Sequence, residues 1–300
     1  MKKKTYLFAL MAMALTLGSC SDNENGIGGE TSKYITVSTS IGNMTRVATD
    51  EKGGQTFEES DEISVYAWTG DATVAPETSE RVVNNAINKL TNGSWVSTPQ
   101  MLWKNNRDKH YFIGVYPTAA ISDLSAGEYT FDANKQTESD LLVAVNPDGL
   151  SYSADAQQTV PLTFTHVMAK LAVNLTYKNQ WGGIPTVEKV VVGNAAKEAT
   201  INYLTKVVTP STTAKEDFSL PEITENTKYV SVIIPQEEVT QLTIVIGGKN
   251  FVYDNGTPFK LESGKITTVN LEVGRDEIKL GDVKITNWED GSTFSGEALN

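Results

Sequence analysis

Residues 167–175, VMAKLAVNL, decide the fold class of this chain, because apolar residues alternate there with a period of two. The apolar residues of one parity are Val167, Ala169, Leu171, Val173 and Leu175. Lys170 and Asn174 share the other parity with His166. Successive side chains of a β-strand point to opposite faces of its sheet. The pattern therefore predicts a strand with one packed face and one wetter face.

Similar short segments, rich in Val, Ile, Thr and Tyr, recur along the chain between Gly, Asn, Asp and Pro residues. Further strands are predicted at 35–41, 62–68, 111–116, 141–145, 187–192, 229–234, 242–246 and 267–273. Helical periodicity is nearly absent. The sequence therefore predicts an all-β sandwich protein.

The length of the chain favours two domains over one. Segments 111–117 and 229–235 each begin with Tyr and end with Pro around a β-rich interior. Their separation fits two sandwiches of about 125 residues each. The stretch 149–158 is poor in apolar residues and is the predicted boundary. We predict domains at 33–155 and 156–300.

The first 20 residues have the features of a lipoprotein signal peptide: three lysines, an apolar run over 6–17, and Leu-Gly-Ser-Cys ending at Cys20. The apolar run is shorter than the about 20 residues that a membrane-spanning helix needs. Cys20 is therefore predicted to be the lipid-acylated first residue of the mature chain. Residues 21–32 are polar and glycine-rich, which predicts a flexible tether. Their acidic start resembles the signal that sends lipoproteins to the outer face of the outer membrane, although an ordinary solvated tether remains an alternative.

Composition argues against several functions. The net charge is −12, and it becomes −15 without residues 1–20. Nucleic-acid binding needs a clustered basic face, and none follows the signal peptide. The chain has one cysteine and two histidines, and lacks the spacings of zinc or calcium sites. His110 and His166 are interpreted as structural or surface residues, so the sequence predicts no enzyme, cofactor or metal.

Three motifs together resemble the fimbrillin-like family, the type V pilins of the Bacteroidia. They are FEESDEISVYA at 57–67, LTFTHVMAKL at 162–171 and ITNWEDG at 285–291. They follow, in this order, the Leu-Gly-Ser-Cys segment that ends at Cys20, which is called a lipobox. Ser60 stands where the family usually has Gly. The resemblance implies two tandem transthyretin-like, Greek-key β-sandwich domains. It also implies a non-enzymatic subunit of adhesive fibres, exported as a lipoprotein to the outer membrane and cell surface.

The resemblance further implies processing and strand exchange. In stalk subunits of the family, an arginine-specific protease removes the leader and first strand, and a C-terminal strand of another subunit fills the groove. The processing site maps here to Arg46 and Val47, after the predicted strand at 34–41, although an ordinary exposed arginine is an alternative. The predicted donor residues are Ile278, Leu280, Val283 and Ile285. Their parity switches at 281–282, which indicates a bulge or a break.

Two other functions stay open. An anchor subunit would keep both its first strand and the lipid on Cys20. A surface glycan-binding lipoprotein would use exposed tryptophans from the five in the chain. The expected partners are other fimbrial subunits, outer-membrane lipid through Cys20, and a host or bacterial surface receptor.

Overall fold

The structure is a computed structural model that describes residues 33–42, 56–136, 138–153 and 158–288. These residues form a nearly all-β protein, as predicted. The strands are β1 Thr36–Ile41, β2 Glu62–Thr69, β3 Val83–Thr91, β4 Ser94–Thr98, β5 Lys109–Tyr116, β6 Gly127–Thr130, β7 Leu142–Ser151, β8 Thr159–His166, β9 Ala169–Tyr177, β10 Val187–Ala196, β11 Glu198–Asn202, β12 Val207–Pro210, β13 Lys215–Leu220, β14 Glu222–Thr224, β15 Lys228–Ile233, β16 Gln236–Ile246, β17 Lys249–Leu261, β18 Lys265–Val273 and β19 Ile278–Asn287. Two short 3-10 helices lie at Thr78–Glu80 and Asn179–Trp181.

The segment with the strongest alternation forms β9, which lies between β15 and β18. Its inward residues of one parity, from Ala169 to Leu175, are buried as the pattern predicts. Every other segment predicted as a strand coincides with or overlaps one. Local composition and side-chain alternation therefore locate these elements.

Two sheets face each other in the second half of the chain. One has the order β14-β15-β9-β18-β19 and the other has the order β13-β10-β16-β17. Their inner faces share one core, to which β9 contributes Leu171 and Val173, β10 contributes Val190, and β16 contributes Ile244. This arrangement is a β-sandwich.

The first half is dominated by a seven-stranded sheet with the order β1-β8-β7-β5-β2-β3-β4. Its inner face encloses a second core, which includes Val65, Phe112 and Phe164. The sheet curves so that its two edges approach each other, and Ile35 N donates a hydrogen bond to Met101 O just beyond β4 (3.0 Å).

The two halves are joined by backbone pairing and by a shared core. β6 pairs antiparallel with β11, and Thr130 lies opposite Glu198, which is 68 positions later in the chain.

 

The strand pairs therefore connect segments that lie far apart in the sequence. On the side-chain level, Gln136 Oε1 accepts hydrogen bonds from Val232 N (2.7 Å) and Ser231 Oγ (3.2 Å).

The seven-stranded sheet extends past residue 155, where the sequence analysis places the end of the first domain. β8 follows that position and pairs antiparallel with β7, so that Leu142 lies opposite His166. The polar stretch 149–158 thus begins within the end of β7 and ends just before β8, its neighbour in the same sheet. Composition alone does not distinguish such a connection from a linker between domains. The tandem transthyretin-like arrangement stays a prediction.

Candidate functional site: the two terminal strands

The first strand lies at an edge of the seven-stranded sheet but contributes to its core. β1 pairs in parallel with residues 159–164 of β8. The side chains of Ile35 and Val37 are 3% and 6% exposed, and Ile41 packs against the same core. Removing this strand would therefore uncover both a backbone edge and part of the core.

Within the described part of the chain, the other backbone edge of β1 makes fewer hydrogen bonds than the edge that pairs with β8. At the start of the strand, Ile35 N donates to Met101 O (3.0 Å). Farther along, the indole Nε1 of Trp95 donates to Thr39 Oγ1 (3.0 Å). The strand is thus bonded along its length to β8, and on its other side chiefly near its beginning.

The C-terminal strand β19 is an edge strand of the five-stranded sheet, antiparallel to β18. The register shifts between Val269 and Leu271 of β18, opposite 281–282 of β19. This is the position where the parity of the sequence predicts a bulge or a break. Because of the shift, each apolar residue of β19 lies opposite a core-facing residue of β18. These residues of β19 are Ile278, Leu280, Val283 and Ile285.

The apolar residues of β19 differ in their surroundings. Ile278 and Leu280 are partly buried and pack against the core. Val283 and Ile285 are each 37% exposed, although both belong to the core-facing side of the strand. Exposed apolar side chains on a sheet edge are a feature of surfaces that accept or donate strands.

Trp288 fixes the end of β19 to the rest of the protein. Its ring stacks on His166, with ring centroids 4.1 Å apart and planes 6° apart, and Lys170 Nζ lies 4.2 Å from the ring centroid. His166 Nδ1 in turn contacts Asp140 Oδ1 (2.8 Å). Burial lowers the pKa of Lys170, and the charge of Asp140 partly opposes this shift.

Sequence reasoning missed this role of Trp288 and assigned Lys170 and His166 to a wetter face. The indole from the far end of the chain covers both side chains, which alternation within a single strand does not reveal. The closing motif contained a signal for this contact. Trp288 is a large aromatic residue directly after the exposed strand, and such residues usually pack against other parts of a protein.

β8 connects the two terminal strands physically. Its residues 159–164 pair with β1, and two residues later His166 stacks on Trp288. The slot that holds the first strand and the anchor of the last strand therefore lie on one continuous stretch of backbone.

The other predicted site residues, Cys20, Arg46 and Val47, lie outside the described residues. The same holds for the predicted signal peptide and for the tether at 21–32.

The tryptophans offer little to a bound sugar. Trp68, Trp103 and Trp288 are buried. Trp95 and Trp181 are partly buried and donate their indole N–H groups to Thr39 Oγ1 and Val273 O. A glycan-stacking surface needs an exposed aromatic face, and none of the five tryptophans is fully exposed.

His110 is a buried structural residue. Its Nε2 accepts a hydrogen bond from Lys104 N (3.0 Å), which leaves Nδ1 to donate to Asp108 O (3.1 Å). Its ring also contacts Trp103 edge-on, with centroids 4.9 Å apart. Both ring nitrogens are thus used to hold the 104–108 loop.

Acidification is expected to destabilise the protein through His110. Burial lowers the pKa of this imidazole, so the folded state binds fewer protons than the unfolded state. The free energy of unfolding should therefore fall as the pH drops below about 6.5, toward the lower folded-state pKa. Urea denaturation at several pH values, compared with His110→Gln, measures this. An unchanged pH dependence in the variant would contradict the assignment.

The described residues contain no cluster of three or more His, Cys, Asp or Glu side chains that could hold a metal ion. In the same part of the chain, no helix has the length and apolar character needed to cross a membrane.

The fold defines a β-sandwich protein in which the first and last strands of the described residues are both edge strands. The chain belongs to the fimbrillin-like family, whose model matches residues 45–288. The family is one of fimbrial structural proteins and not of enzymes, and it implies a location at the cell surface. No curated protein matches the sequence significantly.

Solved structures share the fold. A candidate cell adhesion protein from Bacteroides uniformis is 20% identical, with a TM-score of 0.62 over 85% of this chain and 99% of its own. Another, from Bacteroides ovatus, is 17% identical, with a TM-score of 0.64 over 85% and 98%. The C-terminally truncated tip fimbrial protein Mfa3 from Porphyromonas gingivalis is 10% identical, with a TM-score of 0.50 over 77% and 95%.

Proposed function

We propose that this protein is a subunit of an adhesive surface fimbria that assembles by strand exchange. In this proposal, the chain is exported as a lipoprotein acylated on Cys20. A protease then cuts between Arg46 and Val47, and the leader leaves together with β1. The C-terminal strand of another subunit takes the vacated place.

The observation that carries the proposal is the position of β1. As an edge strand, it can leave without breaking the order of the remaining strands. Its departure would leave the backbone of β8 unpaired and uncover the pockets of Ile35 and Val37. Unpaired backbone groups and exposed apolar surface are both costly, and an added strand satisfies both.

The extent of the family match supports the same division of the chain. It begins at residue 45, beside Arg46, and so leaves β1 outside. It ends at Trp288 and so includes β19. The matched region corresponds to the subunit that cleavage at Arg46 would produce.

The proposal assigns the lipid on Cys20 to a precursor held at the outer membrane. The acidic, glycine-rich segment 21–32 separates the lipid from β1 and gives a protease access to the folded precursor. The expected partners after cleavage are other fimbrial subunits, and a host or bacterial surface receptor is the expected target of the fibre.

Replacing Arg46 by alanine is expected to prevent assembly, because an arginine-specific protease requires the arginine side chain. Wild-type protein treated with a limiting amount of an arginine-specific protease should begin at Val47 by mass spectrometry and form fibres visible by electron microscopy. Arg46→Ala should retain residues before Val47 and form none. Arg107→Ala, which removes an arginine from an exposed loop, serves as the matched control and should behave as wild type.

The same measurements separate a stalk subunit from an anchor subunit. The stalk role would be contradicted by two results together: native protein that begins at acylated Cys20, and protease-treated protein that does not polymerise. These results would favour the anchor.

A further inference from the structure

The slot occupied by β1 has a defined length and side-chain pattern. Four alternate residues face inward over a span of seven positions: Ile35, Val37, Thr39 and Ile41. The first two are the most deeply buried. A strand that replaces β1 must therefore present four inward side chains over seven positions, with apolar residues at the two deep pockets.

β19 meets this requirement because of its bulge. Its residues 278, 280, 283 and 285 lie opposite positions 273, 271, 269 and 267 of β18, which also span seven positions. Without the bulge, Ile278 and Leu280 would face away from Val283 and Ile285. The bulge thus makes one four-residue apolar face out of two pairs of opposite parity.

We propose that β19 of a second copy enters the slot antiparallel to β8, with its bulge retained. Ile285 then takes the place of Ile35, Val283 that of Val37, Leu280 that of Thr39, and Ile278 that of Ile41. This inference rests on the proposed strand exchange and specifies its direction and register.

The deep pockets favour the antiparallel direction. In that direction each pocket receives the residue type that it already holds, isoleucine at 35 and valine at 37. A parallel strand of the same length would place Leu280 in the pocket of Val37, which is only 6% exposed. Inserting a larger side chain into a packed core is destabilising.

The exposure of the donor residues contributes a driving force for transfer. On their own subunit, Val283 and Ile285 are each 37% exposed. In the slot they would take positions that are 6% and 3% exposed in the precursor. The additional burial of apolar surface favours the exchanged arrangement.

Leu280 has a distinct consequence at the third position. Thr39 Oγ1 accepts a hydrogen bond from the indole Nε1 of Trp95 (3.0 Å), and leucine has no acceptor to replace it. The environment of Trp95 is therefore expected to change when the strand is exchanged.

Disulfide trapping between two copies tests the direction. The outward residues Thr36 and Ser40 of β1 lie opposite Thr159 and Thr163 of β8. Antiparallel insertion places Lys284 opposite Thr159 and Lys279 opposite Thr163. Parallel insertion would instead place Lys279 opposite Thr159 and Lys284 opposite Thr163. Directly opposite residues on neighbouring strands are close enough for a disulfide.

The experiment mixes two full-length single-cysteine chains, each also carrying Cys20→Ser, under a limiting amount of an arginine-specific protease and mild oxidation. Lys284→Cys with Thr159→Cys, and Lys279→Cys with Thr163→Cys, should give disulfide-linked dimers. The swapped combinations, Lys284→Cys with Thr163→Cys and Lys279→Cys with Thr159→Cys, should give none.

The outcomes separate this inference from the proposed function. Dimers in the swapped combinations alone, or fibres without dimers in any combination, would overturn the antiparallel register and leave strand exchange standing. Cleaved protein that forms neither fibres nor dimers would overturn both.

Discussion

Replacing Val37 by aspartate is expected to expel β1 from the seven-stranded sheet and to lower the free energy of unfolding by about 3 kcal/mol. Val37 is 6% exposed and packs in the core inside the sheet. A carboxylate buried there without a partner costs more than an edge strand can offset, so the strand should leave. The remaining core should stay folded, which limits the loss to the docking energy of β1.

Urea denaturation measures this loss, and hydrogen exchange of the amides in 159–164 of β8 locates it. Ser38→Asp is the matched control, because Ser38 is the next residue of the same strand and is exposed. Its effect should stay within about 0.5 kcal/mol. Under the proposed function, Val37→Asp should also form fibres without protease. Unchanged stability together with unchanged exchange in β8 would contradict the role of Val37.

Replacing Trp288 by alanine is expected to free β19 from its sheet, with a loss of about 3 kcal/mol. The substitution removes the ring that stacks on His166 and lies beside Lys170. The strand itself is exposed along most of its length, so little else holds its end. Hydrogen exchange should therefore accelerate over 278–287 and much less in β9.

Trp288→Phe is the informative control. It keeps an aromatic ring against His166 and removes the indole Nε1, which is buried and lacks a hydrogen-bond partner among the described residues. Its loss of stability should be less than half that of the alanine variant. Equal exchange in β19 of the wild type and Trp288→Ala would show that the tryptophan does not hold the strand.

Local patterns in the sequence predicted about half of the strands and even the irregularity in the last one. They did not predict β8, the partner of β1, as a strand of its own. Alternation at 167–175 gave the inward face of β9, because the two-residue period follows directly from strand geometry. The parity switch at 281–282 coincides with the register shift in β19. Both features are encoded by neighbouring residues and need no knowledge of distant contacts.

Local patterns in the sequence could not predict which distant strands pair with each other. Thr36 and Thr159 lie opposite each other although they are 123 positions apart in the chain. Nothing in either segment specifies the other as its parallel partner. The stack of Trp288 on His166 has the same character, since both residues fit several environments and only the assembled fold brings them together.

The continuity of β8 and β9 has a mechanical consequence for a fibre built in the proposed way. Tension from an inserted strand would load the hydrogen bonds along 159–164 in shear, so that several must yield together. The backbone then passes through Val167 and Met168 into β9, which pairs in parallel with β18. β18 leads directly to the outgoing strand β19. β8, β9 and β18 would therefore carry the pull from one subunit to the next, and the rest of the protein would bear little of it.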